Sequence, residues 1–169
     1  MPDRFVHTAA PADDDGPPSG RPEFPRGFSR RRPIPLQILA YLWALPTTFV
    51  GLLFVPAALV GGRMQLVDGV LELYGGLVAT FLERGTLLPG GASAMTLGHV
   101  VLGRDRAALD RTRTHERVHV RQVERWGPLF LPAYVIASVV AAVRGRDAYR
   151  DNPFEREAFD DDARRARGQ

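Results

Sequence analysis

Residues 115–119 read His-Glu-Arg-Val-His, two imidazoles four positions apart with a carboxylate beside the first. On a helix, positions i and i+4 share a face, so His115 and His119 can bind one metal ion together. Glu116 sits about 100° further around, close enough to act on a water at that ion without being a ligand. Two ligands and a general base in one turn make a zinc-dependent hydrolase the chemistry to test. Three fixed positions recur by chance, so the pattern gains weight only with a helix, a suitable face and a third ligand.

The helix is well supported. Asp110, Thr112 and Thr114 are cap candidates, and neither Gly nor Pro interrupts the run before Trp126-Gly127-Pro128. At helical spacing His119, Gln122 and Val123 fall within about 80° of His115. Arg113, Arg117, Arg121 and Arg125 recur every fourth position on the far side. That stripe is expected to be a solvated face, with lipid phosphates as its next use. No nucleic-acid partner is expected, because the net charge is only +3 and no nucleic-acid module is present.

A catalytic zinc usually takes three protein ligands. The chain has no cysteine, which excludes thiolate sites and disulfides. The remaining histidines are His7, in a polar tail, and His99, in an expected strand from Met95 to Leu102. Downstream, Asn152 as N-cap, Pro153 at the first helical position and acids in the first turn signal another helix. Glu155 and Glu157 on that helix are either ligand candidates or acids that stabilise its N-terminus.

Here the chain resembles the gluzincin branch of zinc metallopeptidases. The resemblance rests on His115-Glu116-x-x-His119 followed by a helix bearing Glu155-x-x-Ala158. It implies Glu155 as third ligand, Glu157 as the alternative, and Glu116 as catalytic base. Phe159 stands where that branch often has an Asp orienting a ligand histidine; Asp160 or Asp151 is the expected substitute. The run Thr96-Leu97-Gly98-His99-Val100-Val101 is similar to the strand that borders the cleft in compact zincins. Gln122, Trp126-Gly127-Pro128 and Asn152-Pro153-Phe154-Glu155 also resemble an uncharacterised bacterial set of small, membrane-associated H-E-x-x-H proteins, over roughly residues 91–160.

Several elements must position these residues. Of 169 residues, 22 are basic and every one is arginine. Residues 1–32 read as a disordered tail ending in Arg30-Arg31-Arg32, with no apolar signal region. Residues 33–62 carry no charge and are long enough to enter a bilayer. The arginines before this segment, with Tyr41 and Trp43 near its start, place the N-terminus in the cytoplasm by the positive-inside rule. Whether it crosses once or folds back as a hairpin stays open. Residues 63–90 are expected to hold an amphipathic helix over 64–82, with Asp68 and Glu72 on one side, and a connector. Residues 91–160 form the metal-binding core and 161–169 a C-terminal tail. The apolar run 129–143 cannot cross the membrane if Glu155 and His119 share one ion.

The expected fold is mainly α with a small β element (α+β), a minimal zincin-like core behind an N-terminal membrane segment. The expected function is that of a zinc metallopeptidase at the bacterial inner membrane, hydrolysing peptide or protein substrates with Zn2+. Its oxyanion or substrate contacts would come from His99, Tyr149 or Tyr134. The alternative is a non-catalytic, membrane-tethered module built on the same core.

Overall fold

Two tight turns organise the sheet. Asp68 and Gly69 both have positive φ, 48° and 78°, the requirement of a two-residue hairpin turn. They join β1 (Gly62–Val67) to β2 (Val70–Gly75). Gly98, with φ 71°, and His99 turn β3 (Ala94–Leu97) into β4 (Val100–Gly103). The strands form one mixed sheet in the order β1-β2-β4-β3, with β2 parallel to β4 and both hairpins antiparallel. The computed structural model describes residues 33–86, 88 and 90–168. The expected tail 1–32, with His7, lies outside the described residues.

Helices make up the rest: α1 (Ile34–Leu52), α2 (Val55–Leu59), α3 (Gly76–Arg84), α4 (Arg106–Trp126), α5 (Phe130–Val143) and α6 (Pro153–Ala166). The protein is therefore mainly α with a small mixed sheet, as expected. Leu73, Val100 and Leu102 of the sheet bury against Val78 and Leu82 of α3 and Ala58 of α2.

Several expectations are corrected. The amphipathic helix over 64–82 is instead the β1–β2 hairpin followed by α3. The Asp-Gly turn outweighs the helical spacing of the apolar residues. The single strand from Met95 to Leu102 is two strands folded at Gly98. A Cβ at Gly98 would collide with Thr48 of α1, so helix and hairpin meet there backbone to backbone. Finally, α4 begins earlier than Asp110: Asp105 is its N-cap and accepts from the Ala108 N–H at 2.7 Å.

The arginine stripe is a solvated face only towards Arg125. Arg113 makes a two-pronged bond to buried Glu72 of β2, 2.9 and 3.0 Å. Arg117 donates to the Val67 carbonyl at 2.6 Å and lies 3.8 Å from Glu72. Arg121 and Arg125 pair with Asp161 and Glu157 of α6. The stripe thus ties α4 to the sheet at one end and to α6 at the other. Asp68 stands in the hairpin turn, and Glu72 is buried on β2 against α4.

Candidate metal centre

Helix α4 supplies His115 and His119 from its buried face, and both side chains are almost fully enclosed. Helix α6 supplies Glu155 from its first turn. Asn152 caps that helix by accepting from the Phe154 N–H at 3.0 Å. Its amide also donates to the Tyr134 carbonyl and the Ser138 hydroxyl of α5, 3.1 and 2.8 Å. One fully buried residue therefore starts α6 and pins it against α5. Ala158, fully buried, is small enough to let α6 lie close on its neighbours.

The three donor atoms converge. His115 Nε2 and His119 Nε2 are 3.3 Å apart, and Glu155 oxygens lie 3.1 Å from the first and 3.4 Å from the second. A tetrahedral ion with bonds of about 2.0–2.1 Å separates its ligand atoms by about 3.3–3.4 Å. The two Glu155 distances run to different oxygens, Oε2 and Oε1, so the cluster approaches that spacing, and it can hold a metal.

The opposite ring nitrogens fix which lone pairs face the cluster. Gln122 donates its amide to the Phe154 carbonyl and to Glu157 Oε2, both at 3.0 Å. Both partners are acceptors, so the Gln122 oxygen must face His119 Nδ1, 2.9 Å away, and Nδ1 carries the proton. Asp162 receives the His115 Nδ1–H at 2.9 Å in the same way. In the neutral rings both Nε2 atoms then carry the lone pair, the arrangement that second-sphere partners give metal-binding histidines.

Charge in the cluster follows. Burial opposes a charged His115, but its hydrogen bonds to Glu155 and Asp162 prevail and raise it to about 9. Burial would raise Glu155, yet the two histidines and Tyr134 hold it down at about 2. Without metal, the site therefore holds a proton between imidazole and carboxylate. Burial pushes the Glu116 carboxyl up, partly offset by His119, Thr96 and His115.

The sequence-derived candidates divide cleanly. His115, His119 and Glu155 come together with Glu116 beside them, and the Tyr134 hydroxyl donates to Glu155 at 2.6 Å. Burial and then the Glu155 carboxylate push the Tyr149 phenol up, which puts Tyr149 beside the site. Glu157 is turned to Gln122 and Arg125 instead. His99 stands apart, stacked on Tyr41 and bonded to Glu124 at 3.3 Å. Asp151 and Asp160 do not orient a ligand; Asp162 does. From Glu155 the spacing i, i+4, i+7 places Glu155, Phe159 and Asp162 along one face of α6. Phe159 packs on the His115 ring with centroids 5.0 Å apart. Thr96 of edge strand β3 is a further contributor, its hydroxyl 2.7 Å from Glu116 Oε2. Helical spacing from Glu155 could have found Asp162, whereas no local signal marked Thr96.

Compared with known proteins, the chain matches no family model, no curated protein and no solved structure.

Proposed function

We propose that this chain is a membrane-associated zinc metallopeptidase of the gluzincin type. One observation carries the reading: two imidazoles and a carboxylate converge in a cluster that can hold a metal ion, next to the buried Glu116 carboxylate bonded to Thr96. His115, His119 and Glu155 would hold Zn2+, whose bound form polarises a substrate carbonyl and acidifies water. Glu116 takes the proton of the attacking water and passes it to the leaving amine. Its raised carboxyl pKa suits both acceptance and release. Thr96 fixes that carboxylate against rotation. Gln122 and Asp162 hold the Nδ1 side of each ring, which leaves Nε2 free to serve as a ligand if an ion binds. Tyr134 and Tyr149, both beside Glu155, would be the phenols available to donate to a substrate oxygen.

One observation favours the non-catalytic alternative: the ligands are buried, with Phe159 packed on His115. A single set of variants separates the two. Zinc content of purified protein should fall at least tenfold for His115→Ala and Glu155→Ala. Glu116→Gln should keep its zinc and lose cleavage of a mixed peptide library. Cleavage by the Gln variant at the parent rate rules out the mechanism, and a zinc-loaded parent that cleaves nothing favours the structural module.

A further inference from the structure

Two charge-free stretches meet on the surface of this fold. Residues 33–62 and 127–143 contain no Asp, Glu, Lys or Arg. They join where Thr47 donates to the Gly127 carbonyl at 3.2 Å and the Trp43 ring lies against Gly127. By length and composition, two stretches suffice to cross a membrane: Ile34–Leu52 and the apolar part of Arg106–Val143.

The packing argues against a crossing by either. Helix α1 is docked on the core through Ala40, Ala44, Thr47 and Gly51, one small residue per turn. Tyr41 is already stacked on His99, and its hydroxyl reaches the Gly69 turn. Only Ile34–Leu39 precede these contacts, about 9 Å of helix against a hydrocarbon core of about 30 Å. Even that portion faces Glu124 of α4 across an open cavity of about 310 Å³. Sinking α1 to span would carry Glu124, His99 and Asp68 into hydrocarbon. Helix α5 returns at once, because Asn152 at the start of α6 bonds back to Tyr134 and Ser138.

The outward surfaces are nonetheless strongly apolar. On α5, Val135, Ile136, Val139, Val140 and Val143 form one exposed stripe at helical spacing. On α1, Ile38, Leu39, Leu42 and Phe49 are each more than half exposed. Such a contiguous apolar surface on a folded chain marks an interaction site. Charge identifies the partner. Arg30-Arg31-Arg32 precede α1, and exposed Arg144, Arg146 and Arg150 follow α5. Cationic groups bordering apolar helices complement the phosphates of an anionic lipid surface.

We propose that α1 and α5 embed in one leaflet of an anionic lipid bilayer without crossing it. The start of α1, the end of α6 and the metal centre then lie on the same side. Tyr134, on the inward face of α5, bonds Glu155, so the metal centre sits one helix behind the lipid. This inference is independent of the chemistry at that centre.

The absence of native cysteine makes the test direct. Full-length protein carrying Ser19→Cys or Arg167→Cys is exposed to an impermeant maleimide in sealed membrane vesicles. The two positions should label to the same fraction before and after lysis; opposite sidedness means that α1 crosses and overturns the proposal. Purified protein added to preformed phosphatidylcholine vesicles containing phosphatidylglycerol should bind at least tenfold more tightly than to phosphatidylcholine alone. That preference should shrink as salt rises. Ile136→Asp with Val139→Asp should weaken vesicle binding at least tenfold while leaving metal titration unchanged. Arg144→Gln with Arg146→Gln, a milder surface change, should remove most of the anionic preference. A parent that ignores vesicles but forms a dimer lost in the Asp variant assigns the surface to a second copy and overturns the proposal.

Discussion

At the scale of single residues, the centre is a competition between a proton and a metal ion for the same lone pairs. His115 is raised to about 9 in the metal-free protein, so below that pH a bound ion must displace a proton. Metal affinity should therefore fall about tenfold for each unit of pH below 9 and level off above it. Competition with a chelator of known affinity, run across pH 6–10, checks this; a flat profile contradicts it. The same groups set the stability of the metal-free protein, with opposite signs. The contribution of His115 is complete below its unfolded value of 6.5 and is lost as pH rises through about 9. That of Glu155 is complete above 4.5 and is lost as pH falls through about 2. Metal-free melting temperature should thus peak between 4.5 and 6.5 as far as this pair decides it. Asp162 tests the orienting role. Asp162→Asn keeps the size of the side chain but removes the charge that fixes His115 Nδ1–H, so metal affinity should drop about 10–100-fold. Circular dichroism should stay unchanged, whereas unaltered affinity would reduce Asp162 to a surface acid.

At the scale of elements, the site was more legible than its scaffold. Asn152-Pro153 marked the start of α6 correctly because capping is written in adjacent residues. The histidine face of α4 followed from its period. The β1–β2 hairpin was also written locally, in Asp68-Gly69, but the spacing of apolar residues around it imitates a helix. Gly98 carried a weaker signal, since its turn depends on the close approach of α1. The use of the arginine stripe could not be read at all. Arg113 and Arg117 are claimed by Glu72, 41 positions from Arg113, and only the tertiary fold reveals such a pair. Glu72 is 2% exposed and accepts from Gln65 as well as Arg113. Glu72→Ala should leave two partly buried guanidinium groups without their shared anion and cost about 3–5 kcal/mol. Urea melts of metal-free protein measure this; a loss below about 1 kcal/mol would show that water replaces the carboxylate.

At the scale of the whole molecule, the apolar N-terminal helix belongs to the folded core as well as to its surface. Ala44 of α1 packs in one cluster with Val123 of α4, Phe130 of α5 and Phe154 of α6, the residue before Glu155. Gly51 lies against Val100 and the Leu97 carbonyl of the sheet. An anchor joined by a linker could be cut away without consequence, but this helix covers both the sheet and the helices that bring the ligands together. Removing residues 1–53 would expose Val100, Leu97, Val123 and Phe130, each worth about 1.5–3 kcal/mol when buried. Several such losses approach the whole stability of a domain, about 5–15 kcal/mol. The truncated chain should therefore fail to give a cooperative melt and bind metal at least a hundredfold more weakly than the full chain, even in detergent that shields apolar surface. Calorimetry and a metal titration on the two forms decide the matter. A truncated protein that melts cooperatively and keeps its metal affinity would make α1 a separable anchor and place the structural core in residues 54–168 alone.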